Sequence, residues 1–169
     1  RDMAESQNKS GVLVSRDEKI SIMINEEDHL RIQCLFPGMQ MNKAWTLCNE
    51  VDNILERNVE YTYNNDYGYL TCCPTNIGTG MRASVMLHLP ALTMTGYIRN
   101  VLEACSKIGI AVRGLYGENS EASGNMFQIS NQISLGQTEE EIVNNINNIA
   151  SQLIQQERAL RKELYNQNP

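Results

Sequence analysis

The sequence predicts an α+β fold in which helices flank a mainly antiparallel sheet. Three observations lead to this prediction: short apolar runs alternate with polar turns, two segments repeat apolar residues at helical spacing, and a long helical segment near the end of the chain opens with a capping box. The 169 residues are enough for one domain with its own core, and a hydrophobic content of 41% is typical of a globular chain.

The first half of the chain predicts a hairpin, a third strand, a helix and a fourth strand. The predicted strands are 11–15, 20–25, 31–36 and 69–73, the last of which ends at Pro74. The predicted helix carries its apolar side chains on one face: Ala44, Leu47, Cys48, Val51, Ile54 and Leu55. Residues 61–68 are polar and aromatic, which predicts a loop.

The second half predicts three more strands and two helices. The strands are 82–89, 110–113 and 127–131. One helix has an apolar face and stops at Gly109, and its face consists of Ile98, Val101, Leu102, Cys105 and Ile108. The other helix begins with a capping box between Thr138 and Glu141 and continues through Ile154, with a charged tail beyond. Residues 118–125 are small and polar and predict a mobile loop.

Composition excludes several classes of protein. The net charge of −6 argues against broad binding of nucleic acid. No apolar run approaches the roughly 18 residues of a membrane helix, and no secretory leader opens the sequence. Five cysteines without a Cys-x-x-Cys pair predict neither a disulfide framework nor a zinc site, so Cys34, Cys48 and Cys105 are interpreted as small buried side chains. A reducing cytoplasm fits this pattern best.

Three runs carry chemistry: Asn25–Arg31, Thr71–Ser84 and Arg113–Glu118. Together they offer two carboxylates, one sulfur and three arginines, although the chain as a whole is acidic. Each run has a plain alternative, since acidic triplets usually form solvated turns and single arginines usually lie at the surface. The combination favours a site that holds a guanidinium against the end of a nucleoside triphosphate.

The pair Cys72-Cys73 is read in two ways. If the pair lies in a strand, its side chains face opposite ways, so one thiol points into a site while the other packs. Thr71, Thr75 and Asn76 could then donate hydrogen bonds that favour a thiolate. The alternative is a buried cysteine pair with no chemistry. Of the two histidines, His29 is expected to orient its loop rather than to act as a base.

At these residues the chain resembles the ATP:guanidino phosphotransferases, the family of creatine and arginine kinases. The runs that match are 25–31, 73–85 and 113–118, followed by Ser130-Asn131. Residues 86–92, 113–118 and 127–132 resemble the bacterial branch that phosphorylates arginine side chains in proteins. Kinases of free guanidines usually have basic residues after Ser130-Asn131, where this chain has Gln132-Ile133-Ser134. The resemblance implies a glutamine synthetase-like catalytic domain at 11–165, preceded by a linker at 1–10.

The resemblance also implies a role for each matching residue. Glu27 matches the carboxylate that grips the guanidinium and serves as base, Glu118 matches the second carboxylate, and Cys73 matches the active-site thiol. The residues implied to bind ATP are Arg31, Arg82, Ala83, Ser84, Val85, Met86, Arg113, Gly114, Leu115, Tyr116, Gly117 and Glu118. Asp28, His29 and Asn76 are expected to assist. Mg²⁺ would arrive with ATP, so no protein metal site is expected.

The implied function is transfer of the γ-phosphate of ATP to arginine side chains of proteins, as part of a stress response. Two alternatives remain: a kinase of free arginine or another small guanidine, and a non-catalytic module that binds arginine or phosphoarginine. Expected partners are protein substrates that present arginine, an activator protein and protease machinery. The family's arginine-rich ATP-binding run and the bacterial branch's C-terminal helical region, which is linked to dimerisation, are not found. We therefore expect a fragment that is weakly active alone and that dimerises only through the missing region.

Overall fold

The computed structural model describes residues 9–26, 28–114 and 123–167, except for the side chains of Asp28 and Ser123. The chain divides into two compact units, Arg1–Gly80 and Met81–Pro169. Both units combine antiparallel strands with helices, so the predicted α+β class is confirmed. Within the described ranges, no helix combines the length and the apolar character that crossing a bilayer requires.

The first unit is built on a three-stranded sheet and one long helix. The strands are β1 (Gly11–Val14), β2 (Ile20–Glu26) and β3 (Asp28–Cys34), which pair antiparallel in the order β1-β2-β3. Helix α1 (Met41–Glu56) follows and packs on β3. Strand β3 begins three residues before the predicted strand, so His29 lies within a regular strand rather than in a loop.

A second, two-stranded sheet completes the first unit. It consists of β4 (Tyr63–Asn64) and β5 (Gly68–Tyr69), and Tyr69 exchanges backbone hydrogen bonds of 2.8 and 3.3 Å with Gly78. Gly68 has a φ of +74°, and a Cβ atom on it would lie 2.5 Å from the carbonyl oxygen of Gly78. Only glycine therefore permits this close approach, which fixes the turn that follows the cysteine pair.

Gly68→Ala is expected to destabilise the protein by about 1–3 kcal/mol from backbone strain alone, because alanine disfavours a positive φ. The clash with Gly78 adds to this loss. Urea unfolding of the variant measures the effect. Gly11→Ala is the control, since a Cβ at Gly11 meets no atom within 4 Å. Equal effects of the two substitutions would contradict the assigned role of Gly68.

The second unit combines three helices with a three-stranded sheet. The strands are β6 (Ser84–His88), β7 (Ile110–Gly114) and β8 (Met126–Asn131), which pair antiparallel in the order β6-β8-β7. The helices are α2 (Pro90–Met94), α3 (Ile98–Lys107) and α4 (Glu139–Gln167). Helix α4 packs on β6, β8 and α2, while α3 packs on β7. The most deeply buried large side chains are Leu89, Leu92, Ile129, Ile142 and Ile146.

A buried carboxylate anchors the short helix α2 to α4. Glu157 is 3% exposed and accepts hydrogen bonds of 3.0 Å from the backbone N–H groups of Ala91 and Leu92. Arg161 pairs with the same carboxylate and donates to the carbonyl oxygen of His88 at 3.1 Å. The network therefore holds the end of β6 and the start of α2 in place, because it satisfies N–H groups that a helix leaves unpaired.

The same network predicts a dependence of stability on pH. Burial acts to raise the pKa of Glu157, but hydrogen bonds from Ala91, Arg161 and Leu92 outweigh it and hold the pKa below the ordinary 4.5. A lowered pKa in the folded state means that the ionised carboxylate stabilises the fold above pH 4.5 and that this contribution is lost as the pH falls through the lowered pKa. We expect the difference in unfolding free energy between the native protein and Glu157→Gln to be constant near neutrality and to shrink below pH 4.5. Urea titrations at several pH values measure it, and a difference that grows in acid would contradict the assignment.

The structure confirms most predicted elements and corrects three. The capping box is present: Glu141 accepts the Thr138 N–H at 2.8 Å, and the Thr138 hydroxyl accepts the Glu141 N–H at 3.2 Å. The predicted strand 69–73 is wrong, because β5 ends at Tyr69 and a 3-10 turn follows at Pro74–Asn76. The loop prediction for 61–68 is wrong in part, since it contains β4, and helix α2 was not predicted. Of the predicted loop 118–125, residues 118–122 lie outside the described part of the chain.

Candidate active site

In the second unit, one face of the sheet is packed. The other, called the open face below, is exposed along β6 but buried at Ser130 of β8. Leu87, Phe127 and Ile129 are buried on the packed face. Ser84 and Met86 alternate onto the opposite face and are exposed, as the pleat of a strand requires. Two of the predicted nucleotide contacts therefore lie on an accessible surface, whereas the half-buried Val85 lies on the other side.

Arg113 lies on the same open face. Its register partner is Gln128 of β8, which is also the partner of Met86 of β6, so the three residues form one row across the sheet. Strands in a sheet lie about 4.8 Å apart, which puts Arg113 about 10 Å from Met86. Gln128 also donates to the Ser84 hydroxyl at 3.1 Å. The open face of β6-β8-β7 thus combines a cation with an amide and a hydroxyl, which are groups that can bind phosphate oxygens.

Arg82 lies just before β6 and is exposed. Both of its chain neighbours are held by Asn131: the amide oxygen of Asn131 accepts the Ala83 N–H at 2.8 Å, and its amide nitrogen donates to the Met81 carbonyl at 3.0 Å. Ala83 itself is 7% exposed and its N–H is engaged by Asn131, so neither its methyl group nor its N–H is presented openly to solvent. Asn131 lies in a motif that matches the family, but no role was predicted for it from the sequence.

In the first unit, Cys73 begins a tight loop. Its sulfur lies 3.0 Å from the Thr75 hydroxyl, and either atom could be the donor. Its carbonyl oxygen accepts the Thr71 hydroxyl at 2.7 Å and the Asn76 N–H at 3.0 Å. The expectation that Thr71 would serve the sulfur is therefore wrong, because the carbonyl takes its hydroxyl. Thr75 is the threonine close to the thiol.

Cys72 does not pack, contrary to the strand-based expectation for one member of the pair. It is exposed while Cys73 is half-buried, because neither residue lies in a regular strand whose two faces could separate them. The Cys72 sulfur instead lies 3.8 Å from Nε2 of His29 on β3. This contact joins the strand that carries Arg31 to the loop that carries Cys73. His29 was expected to orient its own loop, but it lies within β3. Arg31 itself is exposed.

Burial makes the thiols of Cys34, Cys48 and Cys105 less reactive. All five cysteines are free thiols, and Cys34 and Cys48 are half-buried whereas Cys105 is buried. Burial raises the pKa of Cys34 and of Cys105. Burial, followed by the proximity of Cys34, raises the pKa of Cys48 to about 12. These three thiols remain protonated at neutral pH and are poor nucleophiles.

Several predicted site residues lie outside the described part of the chain. These are Glu27, Leu115, Tyr116, Gly117 and Glu118; Asp28 opens β3, but its side chain is not described. Gly114 is the last residue of β7 and directly precedes four of them. In the described ranges, no three His, Cys, Asp or Glu side chains are grouped so that they could hold a metal ion.

Comparisons with known proteins agree on one family. The model of the family described as ATP:guanido phosphotransferase, C-terminal catalytic domain, matches residues 1–160. A curated protein-arginine kinase of Desulforamulus reducens is 59% identical over 164 residues, which is 97% of this chain and 46% of that protein. A protein-arginine kinase of Bacillus subtilis is 56% identical over 155 residues, which is 92% of this chain and 43% of that protein.

Solved structures give the same picture at lower identity. A crystal structure of lombricine kinase superposes with a TM-score of 0.81 at 30% identity and covers 91% of this chain and 43% of that one. The duplicated taurocyamine kinase of Schistosoma mansoni, with bound transition state analog components, gives a TM-score of 0.80 at 31% identity over 89% of this chain and 21% of that one. The chain spans just under half the length of the curated relatives it matches.

Proposed function

Because this chain belongs to the ATP:guanido phosphotransferase family, we propose that it contributes the catalytic domain of a kinase that transfers the γ-phosphate of ATP to arginine side chains in proteins. One observation carries the choice of substrate. Eight curated protein-arginine kinases are 52–59% identical to the chain over 90–97% of its length, whereas the solved kinases of small guanidines are 30–31% identical.

The guanidinium is the difficult part of the reaction. It stays protonated at neutral pH, and in that form its nitrogens are poor nucleophiles. Glu27 and Glu118 are proposed to bind the planar guanidinium through paired hydrogen bonds and to fix one nitrogen in line with the γ-phosphorus. Glu27 is proposed to accept the proton as the N–P bond forms. Asp28 and Asn76 are proposed to assist.

The phosphates call for positive charge. Phosphoryl transfer has a loose transition state, so positioning and charge neutralisation do most of the catalysis. Arg31, Arg82 and Arg113 are proposed to bind the phosphate oxygens of ATP. The open face of β6-β8-β7 supports this for the second unit, since Ser84 and Arg113 lie on it. The remaining proposed contacts to ATP are Met86, Gly114, Leu115, Tyr116, Gly117 and the backbone at Glu118. Ala83 and Val85 are not among them, because Ala83 is buried and Val85 lies on the opposite side of the sheet.

Mg²⁺ is proposed to arrive with ATP, because phosphates and water are the ligands that it prefers in kinases. Cys73 is proposed to contact the guanidinium through its sulfur. The Thr75 hydroxyl, 3.0 Å away, supports that role because it can donate to a thiolate.

The cellular setting is proposed from the family resemblance. We place the protein in the cytoplasm, in a stress response, with protein substrates, an activator protein and a protease as partners. A homodimer would form through segments that the family has beyond this chain.

The test is to incubate the full-length protein with ATP, Mg²⁺ and an unfolded protein substrate and to map phosphate by mass spectrometry. We expect acid-labile phosphate on arginine side chains of the substrate. Phosphate that appears only on added free arginine would favour a kinase of small guanidines. Binding of arginine without any phosphate transfer would favour a non-catalytic module.

A further inference from the structure

We propose that Asn131 is the positioning residue for Arg82, and that it orients this arginine toward ATP by fixing the backbone on both sides of it. The inference rests on the proposed function, because it assumes that Arg82 contacts the phosphates. Asn131 does not itself touch the nucleotide in this proposal. It acts through the segment Met81–Ala83, which precedes β6.

Asn131 uses all the hydrogen-bonding capacity of its amide nitrogen. The two N–H groups donate to the carbonyl oxygens of Met81 at 3.0 Å and of Ile133 at 3.1 Å, while the side-chain oxygen accepts the Ala83 N–H at 2.8 Å. The residue is 5% exposed, so water does not replace these partners. A side chain that is buried and fully bonded holds its neighbours in one arrangement.

Just before β6 begins, the Asn131 side chain takes the place of a backbone partner from β8. Regular pairing of β6 with β8 starts at Ser84, whose partner is Ser130. One residue earlier, Ala83 accepts the Asn131 N–H at 3.4 Å but gives its own N–H to the Asn131 side chain at 2.8 Å. The chain therefore leaves the sheet at Ala83 in a defined direction, and Arg82 lies between two anchored peptide groups.

Arg82 needs such an anchor because none of the described residues holds its side chain in place. It is exposed, and among the described residues no carboxylate pairs with its guanidinium. The backbone then sets the position of the Arg82 Cα atom and the direction in which its side chain leaves the chain. A displacement of about 1 Å can cost a large factor in rate when catalysis depends on positioning.

The same residue also connects to Arg113, the second arginine of this unit that is proposed to bind phosphate. Asn131 is the register partner of Ile110, the first residue of β7, and the next residue, Gln132, donates to the carbonyl of Gly109 at 2.9 Å. Strand β7 carries Arg113 three residues further on. Asn131 thus lies where the segment of Arg82 and the strand of Arg113 meet β8.

The substitution that tests this is Asn131→Asp, which keeps the size of the side chain. It retains the acceptor for Ala83 but turns a carboxylate oxygen toward the carbonyl oxygens of Met81 and Ile133, so the segment of Arg82 is released. In the full-length protein we expect the Kd for ATP to rise about tenfold, which corresponds to about 1.4 kcal/mol. The KM for the protein substrate should stay unchanged.

Arg82→Ala supplies the decisive comparison. If Asn131 acts through Arg82, the double variant should bind ATP no more weakly than Arg82→Ala alone, because residues that act as one unit are not additive. Additive losses would overturn the proposal. The Kd is measured by calorimetry with ATP. A protein that binds ATP but makes no phosphoarginine would refute the proposed function, but it would leave this comparison of single and double variants valid.

Glu157→Gln is the matched control for a loss of stability. It perturbs the other end of β6, where Arg161 and Glu157 hold His88 and α2, and it should lower the melting temperature without changing the Kd for ATP. An equal rise in Kd for both variants would overturn the proposal. If the variants do not fold, hydrogen exchange in the native protein tests the proposal instead. The Ala83 amide should exchange as slowly as the amides of β6, and fast exchange would refute its hydrogen bond to Asn131.

Discussion

Glu157→Ala is expected to destabilise the fold by about 3–5 kcal/mol, which is a large share of the total stability of a domain. The substitution leaves the N–H groups of Ala91 and Leu92 without their acceptor in a buried position. Each such group costs about 1–3 kcal/mol. It also removes the carboxylate that pairs with Arg161. Chemical unfolding in urea, followed by circular dichroism, measures the loss.

Two variants on the same helix set the scale. Glu163→Ala removes an exposed carboxylate and should change stability by less than about 0.5 kcal/mol. Arg161→Ala should have an intermediate effect, because the side chain of Arg161 is 48% exposed and can exchange its partners for water. If Glu157→Ala were as mild as Glu163→Ala, the carboxylate would not be the anchor of α2.

Long elements with a clear period could be predicted from the sequence. The faces of α1 and α3 repeat at helical spacing, and the capping box at Thr138 and Glu141 marks the start of α4 through contacts only three residues apart. These signals are local, so the chain shows them without its partners. Helix α2 has five residues, too few for a period, and its cap comes from Glu157, 65 and 66 residues away.

The site residues divide in the same way. Arg82 and Cys73 were identifiable because they lie in motifs with glycine, proline and threonine around them. The residues that hold these segments in place could not be identified from the sequence. Asn131 reaches Ala83 across 48 residues and His29 contacts Cys72 across 43, so neither contact has a local signature. The predicted strand at 69–73 failed because Thr71 and Asn76 bind the carbonyl of Cys73 and fold the chain into a turn.

The largest effect on activity is expected for the two proposed carboxylates. Glu27→Gln should lower kcat by about 10²–10⁴-fold, the usual contribution of a general base, because an amide keeps the shape of the side chain but cannot accept the proton. Glu118→Gln should raise the KM for the arginine substrate and also lower kcat, because one half of the grip on the guanidinium loses its charge. Initial rates of phosphoarginine formation, measured in the full-length protein, separate the two parameters.

The matched control is Glu103→Gln, which removes one negative charge from an exposed position on α3. It should leave both parameters unchanged, which excludes a general effect of net charge on binding a cationic substrate. The double variant Glu27→Gln/Glu118→Gln should lose less than the product of the single losses, since both carboxylates are proposed to act on one guanidinium. Independent, multiplicative losses would mean that the two residues serve different steps, and undiminished rates in both single variants would refute the proposed mechanism.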